Sequence, residues 1–162
     1  KHILMTNIAR LSAKLFSGIL LLFFYAAPAY CQDSSSVQFT YHTQRLNDSI
    51  VLISLKGKID KGTRLFALQT SADDAIYSTV NFDTAVKERL RDSLTQIGDM
   101  QKAPDPTLQS DVHVFKDSVE WQQRVSAAPA DSFLVKGDIR DMVQKGSEFL
   151  PGSYEFKRFV LP

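Results

Sequence analysis

The chain has one cysteine, Cys31, in 162 residues. It can form no internal disulfide, so its stability must come from packing and hydrogen bonding. Three histidines and one cysteine leave little material for a metal centre. Seven glycines and six prolines are too few for a low-complexity or collagen-like chain. Neither sign of charge dominates, with 19 basic and 18 acidic residues. That balance excludes the clustered basic face of a nucleic-acid binder, and the densest basic run, KERLR at 87–91, reads as a solvated surface. The longest apolar run, Leu15–Ala27, falls short of the roughly 20 residues that span a bilayer.

What is present begins with a leader. Residues 1–14 carry Lys1, Arg10 and Lys14 and no acid; the run LFSGILLLFFYAA follows, then small residues at Ala27 and Ala29. A basic start, a short apolar stretch and a small-residue exit describe a signal peptide over 1–31, cleaved after Ala29 or Cys31. A retained anchor is the alternative. Removing three basic residues leaves 16 against 18 acidic ones, a net charge of −2. Residues 32–36 form a polar lead-in, and 37–162 have the length of one ordinary domain.

Within that domain, Val37, Phe39 and Tyr41 alternate with polar residues, which predicts a half-buried strand. Asn47-Asp48 reads as a turn, Ser49–Ile59 as a strand and Asp60-Lys61-Gly62 as a second turn. Leu65–Leu68 is a short apolar piece, and Ile76–Phe82 is a further strand candidate. Across Thr84–Ile97, Val86, Leu90, Leu94 and Ile97 fall at helical spacing. Lys102–Pro106, with two prolines, reads as a loop. Val112–Phe115 is a strand; Val119, Trp121, Gln123 and Val125 occupy one face of the next, with Trp121 in the core. A loop at Ala127–Asp131 precedes a strand at Ser132–Val143. Gln144–Gly152, with two glycines and a proline, reads as a loop before the closing strand Ser153–Leu161. Seven or more short strands with frequent turns predict an all-β antiparallel sandwich of immunoglobulin-like type.

Little in the chain suggests catalysis. Asp111 and His113 share a strand face, where the carboxylate could orient the imidazole, but neither His113 nor His42 has further ligands at metal spacing. Asp73-Asp74 and Asp138/Asp141 are the nearest approaches to paired carboxylates, and solvated loops and strand edges account for them. No phosphate-binding glycine loop, Gly-x-Ser-x-Gly or nucleophile–base spacing occurs. These residues point to a binding or structural module with no cofactor and no metal.

Three stretches carry a family resemblance. Ile59–Gln69 (IDKGTRLFALQ) has Gly62 and Leu65 in a turn-and-strand pattern, with Phe66 in place of a tyrosine and Thr63-Arg64 in place of a Trp-His pair. Asp105–Trp121 (DPTLQSDVHVFKDSVEW) has an Asp-Pro loop followed by two strands, with Thr107-Leu108 where an aromatic residue is expected. Lys136–Phe156 (KGDIRDMVQKGSEFLPGSYEF) has Leu150-Pro151 where a Cys-x4-Cys-Leu-Pro-Pro motif ends, and Gly152 stands for the last proline. Together they resemble the N-terminal, immunoglobulin-like periplasmic domain of the thiol:disulfide interchange protein DsbD family, of Bacteroidetes type. The resemblance spans roughly 37–161.

In that family the domain passes electrons from a membrane-embedded domain to periplasmic proteins by thiol–disulfide exchange. The step needs a thiolate. The two cysteine positions are occupied here by Gln144 and Phe149. The resemblance therefore implies the fold, a periplasmic location and a binding face, without redox activity in this domain. That face comprises Phe66, Asp105, Leu108, Gln144 and Phe149, and its expected occupant is a periplasmic protein, thioredoxin-like ones included. The membrane would enter only through a retained leader or downstream domains, and the alternative function is docking for a longer membrane reductase. The resemblance also replaces a long helix over Thr84–Ile97 with a strand near Leu94–Met100, ending in Ile97-Gly98-Asp99.

Overall fold

The computed structural model describes residues 35–161. The signal peptide expected over 1–31 lies outside the described residues. The remainder is an immunoglobulin-like sandwich of two antiparallel sheets. The four-stranded sheet has the order β1-β2-β8-β5, with β1 at Val37–Asn47, β2 at Ile50–Ile59, β8 at Ser118–Ser126 and β5 at Leu90–Ile97. The six-stranded sheet runs β10-β9-β3-β7-β6, with β10 at Glu148–Val160, β9 at Phe133–Lys145, β3 at Thr63–Phe66, β7 at Ser110–Phe115 and β6 at Gln101–Asp105. Its sixth strand, β4 at Thr79–Phe82, continues the line of β3 alongside β9.

Alternation decides which side chains go inside. Val51, Ile53, Leu55 and Ile59 of β2 meet Val119, Trp121 and Val125 of β8 in the main core, and Val135, Ile139 and Val143 of β9 close it from the other sheet. Trp121 is 0% exposed; its ring stacks on Phe39 at 5.6 Å and its indole N–H donates to Gln96 Oε1. Gln123 is also buried on this face. Its amide donates to the carbonyls of Arg91 and Arg124, so the group is satisfied by the neighbouring backbone. The described residues form one compact unit, with both clusters of buried side chains inside it.

Four stretches differ from the sequence expectations. Thr84–Ile97 is one helical turn, α1 (Thr84–Lys87), capped by the Asp83 carboxylate, followed by β5. β5 bulges between Arg91 and Thr95, with Asp92 at φ 61°; Leu90 and Leu94, four residues apart, share a face in a strand as they would in a helix. β5 overlaps the strand expected near Leu94–Met100 but starts at Leu90 and stops at Ile97, just before Gly98. Lys102–Pro106 is mostly strand: β6 is an edge strand paired only with β7, where a proline's missing N–H breaks no ladder. Gln144–Gly152 is a hairpin. β9 and β10 pair from Lys145↔Glu148 onward around Gly146-Ser147, and only the first turn residue, Gly146, has positive φ (62°), as a type II′ turn requires. The strand expected over Ile76–Phe82 shortens to β4, because residues before Thr79 belong to a loop crossing the outer face. At its end Ser78 Oγ donates to Phe66 O and accepts from Met142 N–H, bridging the gap between β3 and β4.

Candidate functional site

The outer face of the six-stranded sheet carries a second, smaller apolar cluster. Phe66, Val112 and Val114 are buried there, with Ile76, Leu108, Met142 and Phe149 packed against them. Phe66 is 0% exposed although it points away from the main core. Two loops cover it. One, after β3, brings Ile76; the other, between β6 and β7, brings Leu108. The Phe66 and Phe149 rings stack at 5.9 Å.

A polar group lies beside this cluster. Arg64, two residues before Phe66 and on the same strand face, donates from Nη2 to Gln144 Oε1 and to Asp105 Oδ2, the latter at 3.3 Å. Asp105 is 1% exposed. Its Oδ1 accepts the N–H groups of Thr107 at 2.9 Å and Leu108 at 3.1 Å. One carboxylate thus ties the β6–β7 loop to Arg64 and aims Leu108 at the cluster.

Burial alone would raise the Asp105 carboxyl. The N–H groups of Leu108 and Thr107, the Gln144 side chain and the Arg64 charge outweigh it and hold the group below the ordinary aspartate value of 3.8. A group depressed in the folded state contributes stability that is full above its unfolded value and is lost as pH falls through the folded one. Amide protection factors at Thr107 and Leu108 are therefore expected to drop as pH falls below about 4. Asp105→Asn should show the weakened protection already at neutral pH; unchanged protection at Leu108 in that variant would remove Asp105 from this role.

The second loop is held from two sides. Gln96 Oε1 accepts from Leu68 N–H at 2.8 Å. Asp74 Oδ2 accepts from Thr70 N, Thr70 Oγ1 and Ser71 N. His113 Nδ1 meets Thr70 Oγ1 at 2.9 Å and Asp74 Oδ1 at 3.5 Å. Burial raises the Asp74 carboxyl, and the Ser71 and Thr70 hydrogen bonds with the His113 charge more than reverse this, leaving it below its ordinary value. The partner of His113 is thus Asp74 and not Asp111, which pairs with Lys102 at 3.0 Å. Hydroxyl and carboxylate both address Nδ1, so the imidazole cannot relay a proton from one to the other, and the trio secures a loop. Asp138 and Asp141 sit on opposite faces of β9 and do not form a pair; Asp138 bonds Asn81 and Arg140. The Asp141 carboxylate lies over Gly152, where an added Cβ would come within 2.5 Å of Oδ1, and burial raises its pKa. Among the described residues no group of three His, Cys, Asp or Glu side chains is placed to hold a metal.

All five residues expected from the sequence, Phe66, Asp105, Leu108, Gln144 and Phe149, come together on this face. Gln144 and Phe149 are direct cross-strand partners in the β9–β10 hairpin. The structure adds Arg64, which links Asp105 to Gln144. The signal for it was its position on the same face as Phe66, two residues earlier in one strand.

No protein-family model matches the chain, and no curated protein matches it. Solved structures do. The N-terminal periplasmic domain of ScsB from Proteus mirabilis superposes with a TM-score of 0.58 at 10% identity, over 78% of this chain and 47% of that one. The fold is that of this ScsB domain, and the chain spans about half the length of that structure. The GAE domain of GGA2p from Saccharomyces cerevisiae matches with a TM-score of 0.41 at 13% identity, over 76% of this chain and 89% of that one. No helix among the described residues is long and apolar enough to cross a membrane.

Proposed function

We propose that this chain is an exported, periplasmic domain of DsbD N-terminal type that binds a protein partner and carries out no thiol chemistry itself. ScsB is a DsbD-like protein, and its N-terminal periplasmic domain shares the fold. The assignment to the Bacteroidetes type rests on the sequence motifs alone. The observation that carries the reading is the pairing of Gln144 with Phe149. The two positions that the family motif gives to thiols lie opposite one another under a two-loop cap, and they hold an amide and a ring. Disulfide exchange needs a thiolate, and residues 35–161 contain no cysteine. Phe149 fills the space between the hairpin and Phe66 and keeps part of its ring in solvent. Half-covered apolar side chains beneath loops on a rigid sheet suit contact with a protein.

The test is capture of periplasmic proteins, thioredoxin-like ones included, by the domain and by its Phe149→Ala, Leu108→Ala double variant. A partner retained by the parent and lost by the variant supports the reading; equal recovery by both ends it. Insulin reduction by the purified domain should not exceed the no-protein rate. The second reading, docking for a longer membrane reductase, is favoured by the position of the matching ScsB domain at the front of its protein. A longer reading frame with a downstream apolar run of about 18 or more residues would support it.

A further inference from the structure

Where the β2–β3, β7–β8 and β9–β10 turns meet, a cavity of about 450 Å³ is lined by Lys61, Thr63, Arg64, Lys116, Asp117 and Gln144, among others. Arg64 is held in place from one side only. Its Nη2 is committed to Asp105 and Gln144; among the described residues Nε and Nη1 have no protein partner, and neither is sealed from water. Its side chain is 27% exposed. Thr63, in the same wall, is 2% exposed and its hydroxyl has no protein partner.

From this geometry we infer that the cavity binds a carboxylate. A guanidinium anchored through Nη2 to a buried acid holds its Nε–H and Nη1–H groups in fixed directions, and each can donate one charge-assisted hydrogen bond to a carboxylate oxygen. Anchoring by Asp105 also removes most of the side-chain entropy that such a contact would otherwise cost. Lys61 and Lys116, on separate turns, add positive charge at the rim, and Asp117 subtracts one. With Asp105 counted behind Arg64, the site carries one net positive charge, which one carboxylate neutralises and a doubly charged phosphate exceeds. The larger groove beside β2 and β8 has no arginine in its lining, and of its two lysines, Lys56 is paired with Glu120. The carboxylate chemistry stands whether or not the neighbouring apolar face docks a protein.

The test is an amide-shift titration by NMR of residues 35–162, labelled with ¹⁵N. The probes are acetyl-Ala-Leu-Phe with a free carboxylate, the same peptide as its C-terminal amide, and succinate. The free-acid peptide or succinate should shift Gly62, Arg64, Lys116 and Gly146 saturably, and the peptide amide should bind roughly tenfold more weakly than the acid. Tighter binding of the peptide assigns the carboxylate to a protein chain, and tighter binding of succinate to a small metabolite. Arg64→Gln should weaken binding about tenfold. Because that change also touches the cap, the exposed pair Lys61→Gln, Lys116→Gln provides a second reading, with a loss of up to about fivefold and a reduced salt dependence. Equal binding of acid and amide, an absence of saturable shifts, or variants that bind like the parent would each overturn the inference. None of these results depends on partner capture, so the site and the docking face can fail separately.

Discussion

Changing Gln144 and Phe149 together to cysteine is expected to produce a disulfide in the folded domain. The two residues are Cα partners across the β9–β10 hairpin, with side chains on one face. Their pairing type follows from the register. Lys145 and Glu148 flank the two-residue turn and form its hydrogen-bonded pair, so the next pair, Gln144 and Phe149, is not hydrogen-bonded. The hydrogen bond from Tyr41 Oη to Lys157 O agrees: the odd-numbered residues of β10 turn their backbone groups away from β9. Opposed residues of the non-bonded kind lie about 4.5 Å apart at Cα, within the disulfide range. After mild oxidation the double variant should show no free thiol and a mass two hydrogens lower, while each single variant keeps one thiol. Two titratable thiols in an oxidised, folded double variant would show that this hairpin cannot close a disulfide. The result would separate a hairpin whose geometry can hold a disulfide at these two positions from one whose geometry cannot.

Phe66→Ala is expected to destabilise the domain by about 3–5 kcal/mol, as removal of a fully buried phenyl ring generally does. Phe66 is 0% exposed, stacks on Phe149 and lies under Ile76 and Leu108, so its loss leaves a cavity that two separately anchored loops cannot refill. The melting temperature should fall by at least about 10 °C. Phe149→Ala should cost less than half as much, because part of that ring is already in water. A Phe66→Ala loss below about 1 kcal/mol would mean that the outer cluster is loosely packed and that its loops move freely. The contrast bears on the proposed docking face: Phe66 is then its floor, and Phe149 with Leu108 its accessible surface.

Much of this was legible in the chain. Alternation in β1 and β8 put Val37, Phe39, Val119, Trp121 and Val125 on the buried face, as the structure has them. The family motifs brought forward five residues that do converge on one face. Less legible was anything that depends on a partner strand. The prolines of 102–106 argue for a loop until β6 is known to be an edge strand, where a missing donor has no consequence. Glycine and proline made 144–152 read as a loop, and the register shows a tight hairpin instead. The four-residue spacing of Leu90 and Leu94 fits a strand face as well as a helix face, and only the pairing with β8 decides between them.

By itself the sequence determined the absence of thiol chemistry in residues 35–161 and the all-β class, because both follow from residue identity and from a period of two along the chain. Only the tertiary structure decided that Gln144 faces Phe149, that Arg64 joins Asp105 to Gln144, and that His113 serves Asp74 rather than Asp111. Those are contacts between residues 5 to 80 positions apart. Local pattern can place each such side chain on a face, but which faces meet is set by strand order and register, and these follow from the packing of the whole sandwich.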